Sequence, residues 1–185
     1  MDDYRRANQD FDASLIIRKF HNEFSGKFIR HYAELFDFPS DDYLLAVIQI
    51  SRGHRKTDLY DEAEYHDIET PEGRIRTAYL SALIRLADEI DVGAARNPEM
   101  LFDLSNLTEQ RDIDAFGTHE SIRTVEVTES SIIFHVKPKE PRFIALIDEL
   151  AGKVQQTLDY CRDVAEKRLD LRITQMRVTV EQTDF

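Results

Sequence analysis

Residues 73–96 read GRIRTAYLSALIRLADEIDVGAAR, and how this stretch folds decides the architecture. Ile75, Tyr79, Leu80, Leu83, Ile84, Leu86, Ala87 and Ile90 place an apolar group on nearly every side of a helical projection. One long helix, packed on several sides, is the expectation. Thr70-Pro71-Glu72 supplies a cap, a proline for the first helical position and an acid for the first turn, so the helix is expected to begin there. Gly93 suits its stop. Arg85, Asp88 and Asp91 interrupt the second half. Burying a carboxylate alone is costly, so Asp88 is expected beside a cation, a metal or several donors. A structural pair with Arg85, or with Arg52 or Arg55 from another helix, weighs as much for Asp88 as a ligand role.

Working outward toward the N-terminus, Asp12 suits the cap of a helix over residues 13–36. Leu15, Ile16, Phe20, Phe24, Phe28, Ile29, Tyr32 and Leu35 recur there at helical spacing, and His21 and Ser25 share a face beside them. Pro39 and Ser40 break and cap. A second, apolar helix is expected over residues 41–51, ending at Gly53-His54, with a polar loop from His54 to about Glu69.

Toward the C-terminus, Met100, Leu101, Phe102 and Leu104 suggest a short helix or turn packed on the core. The pattern changes after about Asp112. Residues 122–127 and 131–136 are β-rich around a short polar turn, which reads as a hairpin. A long amphipathic helix follows over residues 143–171, and residues 172–180 alternate as a third strand beside the hairpin. The fold class is mainly α with an α+β extension. A helical domain over residues 1–111 is followed by hairpin, long helix and terminal strand over 112–185.

A chain of 185 residues suffices for one sizeable core. Its net charge of −12 argues against an extended nucleic-acid surface, which needs clustered Lys and Arg. Cys161 is the single cysteine, so an intrachain disulfide and a cysteine metal cluster are excluded, and a cytoplasmic setting is expected. The first twelve residues, MDDYRRANQDFD, lack an apolar signal core, and no apolar run reaches spanning length, so no membrane association is expected.

His21, His31, His54, His66, Asp88 and Asp91 are the candidate ligands of the helical half, suited to Zn, Mn, Fe, Ni or Mg. None forms a compact motif, so any site must be assembled from separate helices. On spacing alone, a backbone-bonded or exposed histidine outweighs a ligand at each position. His119 and His135 read as solvated residues near and on the hairpin. There is no Gly-rich phosphate loop and no nucleophile elbow.

Three segments together, RKFHNEFSGKFI (18–29), IQISRGHRKTDL (48–59) and IRTAYLSALIRLADEIDVGAAR (75–96), resemble the C-terminal part of an HD-superfamily domain. The likeness is to the variant of bacterial multidomain proteins found beside Hsp90-like ATPase modules, and it covers roughly residues 12–97. The superfamily is helical and consists mostly of metal-dependent phosphohydrolases acting on nucleotides or phosphodiesters. The resemblance implies His21, His54 and Asp88 as metal ligands. It implies Arg55, Lys56, Arg85 and Arg96 as phosphate or carboxylate partners, and a divalent metal (Mn, Fe, Zn or Mg) as cofactor. The upstream His and the adjacent His-Asp pair of the family are missing, because no His precedes His21. His66-Asp67 comes after His54 in a polar loop and reads as a chance dipeptide.

Three explanations compete: a truncated domain, a site completed in trans by another polypeptide, or a fold that has lost catalysis. Each predicts an exposed apolar patch, hence a protein partner or a homo-oligomer. The functional expectation is part of an HD-type phosphohydrolase with a nucleotide or phosphodiester ligand, incomplete as an isolated chain. The alternative is a non-catalytic interaction or regulatory module. Asp88→Leu separates the two roles of that residue. A structural pair predicts unchanged or raised stability in urea denaturation, whereas a ligand predicts loss of phosphodiester hydrolysis with the fold intact.

Overall fold

In a computed structural model, which describes residues 13–55, 57–94, 109–170 and 172–183, the stretch beginning at Gly73 starts as a strand and not as a helix. The helices in chain order are α1 (Ala13–His31), α2 (Asp41–Gly53), α3 (Thr77–Ile90), α4 (Gln110–Ser121) and α5 (Arg142–Leu169). The strands are β1 (Ile68–Thr70), β2 (Gly73–Ile75), β3 (Ile122–Val127), β4 (Ser131–Val136) and β5 (Arg177–Gln182). The chain is mainly helical with small sheets, as its sequence pattern implies. None of the described helices is long and apolar enough to cross a membrane. Two compact units are formed, residues 1–81 and 82–185, and the change of pattern near residue 112 falls inside the second.

β1 and β2 are antiparallel, with Thr70 opposite Gly73. The expected helix start is therefore a hairpin turn. Proline presets φ for a turn as well as for a first helical residue, and Gly73 adopts φ +138°, a region that favours glycine. The Thr70 hydroxyl donates to the Gly73 carbonyl at 2.7 Å. The Tyr43 hydroxyl donates to the Glu72 carboxylate at 2.5 Å, which holds that carboxyl below its usual range. Helix α3 starts only at Thr77, whose buried hydroxyl donates to the His66 carbonyl at 2.7 Å, and it stops at Ile90, before Gly93. It is not packed all round: Leu83 and Ile84 are 46% and 44% exposed.

In the first unit, α1 and α2 pack together. Helix α1 ends at His31, earlier than expected, and a 3-10 turn covers Ala33–Leu35. Asp41 and Asp42 occupy the first turn of α2, where its dipole favours negative charge. Ala46, Ile48 and Gln49 are its buried side chains. Leu59 and Tyr65, from the loop expected to be polar, are fully buried, and the Tyr65 hydroxyl donates to Thr57 Oγ1 at 2.7 Å.

The second unit is the three-stranded sheet β3-β4-β5 packed by α5. β3 and β4 form the expected hairpin, and β5 lies parallel to β4 with Phe134 opposite Val180. Ile132, Phe134 and Val136 alternate inward from β4. They meet Phe143, Ile147, Ala151, Val154 and Leu158 of α5. Each such burial contributes about 1.5–3 kcal/mol for a large side chain. Gln155 pins the start of β5, accepting from Val178 N at 2.7 Å and donating to the Met176 carbonyl at 3.3 Å. Cys161 is buried on α5, and burial pushes its thiol up to about 11. The expected short element around residues 100–104 lies outside the described residues.

Helix α4 escaped the sequence reading. Its apolar positions are few and it contains Gly117, a poor helix residue. The glycine is there for packing: a Cβ on it would fall 2.2 Å from the Phe143 ring. Gly117→Ala is expected to cost about 1–3 kcal/mol by overpacking. Gly152→Ala, with nothing within 4 Å, is expected to be neutral or stabilising by up to about 1 kcal/mol. Urea midpoints of the two variants check the contrast.

Candidate functional site

The last carbonyls of a helix have no partner inside it, and at the end of α2 this requirement places a side chain of α1. Asn22 is 5% exposed and its Nδ2 donates to the Arg52 carbonyl at 3.3 Å and to the Arg55 carbonyl at 3.1 Å. One amide thus closes the α2 terminus and ties it to α1. The Arg52 guanidinium reinforces the join. It grips Glu23 of α1 with two bonds of 3.0 and 2.9 Å and reaches Glu64 of the following loop at 2.7 Å. The Glu23 hydrogen bond is the main reason why Arg52 is held above its ordinary range. These groups are roughly a third exposed, so the network fixes geometry more than it adds stability. Gly26 leaves room for the Arg52 stem, which a Cβ would meet at 2.9 Å.

The clamp brings two imidazoles together. His21 follows from its place beside Asn22, and His54 is the residue just past the end of α2. Their ring centroids are 4.8 Å apart and tilted by 54°, and both residues are half-buried. His54 Nδ1 lies 2.5 Å from the Ser51 carbonyl. A carbonyl only accepts, so Nδ1 is the donor of this bond and Nε2 is the ring nitrogen left to face a ligand. A histidine oriented through Nδ1 onto a backbone carbonyl is how ligating imidazoles are commonly held.

The remaining expected site residues are spread over the chain. Arg55 is half-buried next to His54. Asp88 and Arg85 belong to the second unit, where Asp88 is half-buried and the Arg85 guanidinium lies 5.1 Å from the Tyr160 ring centroid. The greasy, enclosed surroundings expected for Asp88 are not what its helix provides, because Leu83, Ile84 and Ala87 of the same helix are exposed. Lys56 and Arg96 lie outside the described residues. Arg52, one of the cations considered for Asp88, is engaged by Glu23 and Glu64. His66 is exposed ahead of β1, and His31 meets the Tyr32 ring edge-on at 4.6 Å.

Two imidazoles suit a borderline divalent ion, but a closed shell needs more donors. Among the described residues, no group of three or more His, Cys, Asp or Glu could hold a metal ion. The pair fits part of a metal shell and not a whole one.

Asn22 and the Arg52–Glu23–Glu64 network were not singled out from sequence. A faint signal existed: Asn22 and Gly26 are four apart, a polar and a small residue on a face away from the aromatic stripe. His119 and His135 are also less solvated than expected. His119 Nδ1 lies 2.8 Å from the Val92 carbonyl, and His135 sits between Glu126 and Glu181 at 2.9 and 3.8 Å.

A family model described as HD-CE matches residues 2–171. No curated protein and no solved structure matches the chain. The matched span reaches well beyond residues 12–97 and takes in α4, β3, β4 and α5.

Asn22→Ala leaves the Arg52 carbonyl at the end of α2 and the Arg55 carbonyl just past it without this donor and is expected to cost about 1–3 kcal/mol. Asn22→Asp, which offers no donor at all, is expected to cost at least as much. Urea denaturation gives the cost, and faster amide exchange near Gly53–Arg55 locates it.

Proposed function

The chain belongs to the HD-CE family, a group of HD-like domains, and from that premise we propose that it carries the imidazole part of a phosphohydrolase-type site. The observation that carries this reading is the His21–His54 pair, with His54 oriented by the Ser51 carbonyl. The ligand class is a nucleotide or phosphodiester. A divalent ion held at the pair would supply activated water and offset charge on phosphoryl oxygens. His54 presents Nε2 in a fixed direction, and the Asn22 clamp keeps His21 beside it. Arg55, and with it Lys56, follows His54 in the chain and is assigned to the phosphate. Asp88 as a further ligand, and Arg85 and Arg96 as further phosphate partners, rest on the family resemblance. The other ligands come from outside the described residues or from a second polypeptide, so hydrolysis by this chain alone is expected to be weak.

The second reading is a non-catalytic interaction module, and a separate observation favours it: α1 exposes Ile17, Phe20, Phe24 and Phe28 to solvent. An apolar surface of this kind marks a partner site.

Titration with Mn(II) or Zn(II), followed through the histidine side-chain resonances, tests the first reading. The expected result is a joint response of His21 and His54, with affinity falling about tenfold or more in His54→Ala, as for loss of one ligand contact. Stability and both imidazoles unmoved by millimolar metal would leave only the second reading standing.

A further inference from the structure

Helix α1 buries Asn22 and Gly26 and leaves the other side to solvent. On that side Ile16, Phe20, Phe24, Phe28 and Tyr32 repeat every four residues, each 38–57% exposed. A ridge of this spacing is the surface that interdigitates with another helix. Phe28 and Tyr32 are already in ring contact at 4.6 Å, so part of the ridge is ordered before anything binds it.

The charge around the ridge runs against that of the chain. The protein carries −12 overall, yet α1 holds Arg18, Lys19, Lys27 and Arg30 against Glu23 alone. Arg52 neutralises Glu23. Lys19, Lys27 and Arg30 are exposed, and Lys19 Nζ lies 5.2 Å from the Phe20 ring centroid.

We infer that the exposed face of α1 docks an acidic amphipathic helix of another protein. Its apolar stripe lies on the Phe20–Phe24–Phe28 ridge and its carboxylates face Lys19, Lys27 and Arg30. The inference rests on the interaction-module reading and adds the chemistry of the partner. A second copy of this chain is disfavoured, because α1 against α1 sets the same cations against each other. An anionic membrane is disfavoured too. A planar surface also meets exposed Glu34, Asp37 and Asp41, which follow the ridge in the chain, whereas a single helix feels mainly the charges within about 8 Å at physiological salt.

The test uses the full chain and two helical peptides with the same leucine stripe, one flanked by glutamates and the other by lysines. Fluorescence anisotropy is expected to show binding of the acidic peptide that weakens with salt, and at least tenfold weaker binding of the basic one. Phe24→Ser is expected to weaken the acidic peptide about tenfold or more. The double variant Lys27→Glu, Arg30→Glu is expected to reverse the peptide preference. Both variants alter exposed positions, and an unchanged urea midpoint shows that they fold. Equal binding of both peptides overturns the acidic-partner inference while leaving the interaction module intact. Binding to vesicles containing phosphatidylserine but to neither peptide replaces it with a membrane surface. Self-association in sedimentation that Phe24→Ser abolishes, without peptide binding, replaces it with a dimer. No binding in any arm removes the interaction reading as well.

Discussion

The end of α2 sets the constraint on which the candidate site depends. A helix terminus that is partly buried must find donors for its last carbonyls, and here the donor is the Asn22 amide of α1. Because Asn22 adjoins His21 and the carbonyls flank His54, satisfying the backbone also sets the two imidazoles side by side. Arg52 locks the same junction through Glu23 and Glu64. The histidine pair is thus a consequence of helix-end chemistry and needs no local motif of its own.

The HD-CE match changes the meaning of the C-terminal half. The hairpin and long helix had the look of an extension to a helical domain, yet the family match runs to residue 171 and includes them. Packing supports treating them as more than an appendage. The sheet and α5 enclose a core that contains Val92, with Leu86 and Ile90 of α3 packed against it. β5 lies beyond the matched span, but Gln155 of α5 and the parallel pairing to β4 tie it into the same sheet.

On α1, two different demands meet on one helix. Its inward side carries the polar clamp that builds the histidine pair, and its outward side carries aromatic residues that no described element covers fully. Phenylalanines left 41–57% exposed in such a run gain only part of the stabilisation that full burial would give. The rest is gained only when something else removes them from solvent. A catalytic and an associative reading therefore converge on the same element, from opposite faces.

Much of the fold was readable from periodicity. The hairpin of Ile122–Val127 and Ser131–Val136, helix Arg142–Leu169 and the strand beside them follow from alternation and helical spacing, because each buries one face against one layer. Helix Asp41–Gly53 was readable for the same reason. Periodicity is ambiguous where local chemistry serves two structures. Thr70-Pro71-Glu72-Gly73 suits a helix start and a turn alike, and pairing of Ile68 with Ile75 chose the turn. Gly117 argues against a helix in isolation, and only the Phe143 ring across from it explains its presence. The sequence by itself determined which segments are amphipathic, the excess of acid and the likeness to HD domains, since these depend on residue order alone. Tertiary structure decided the meeting of His21 with His54 and the exposure of the α1 aromatics, since both depend on which faces of separate helices come together.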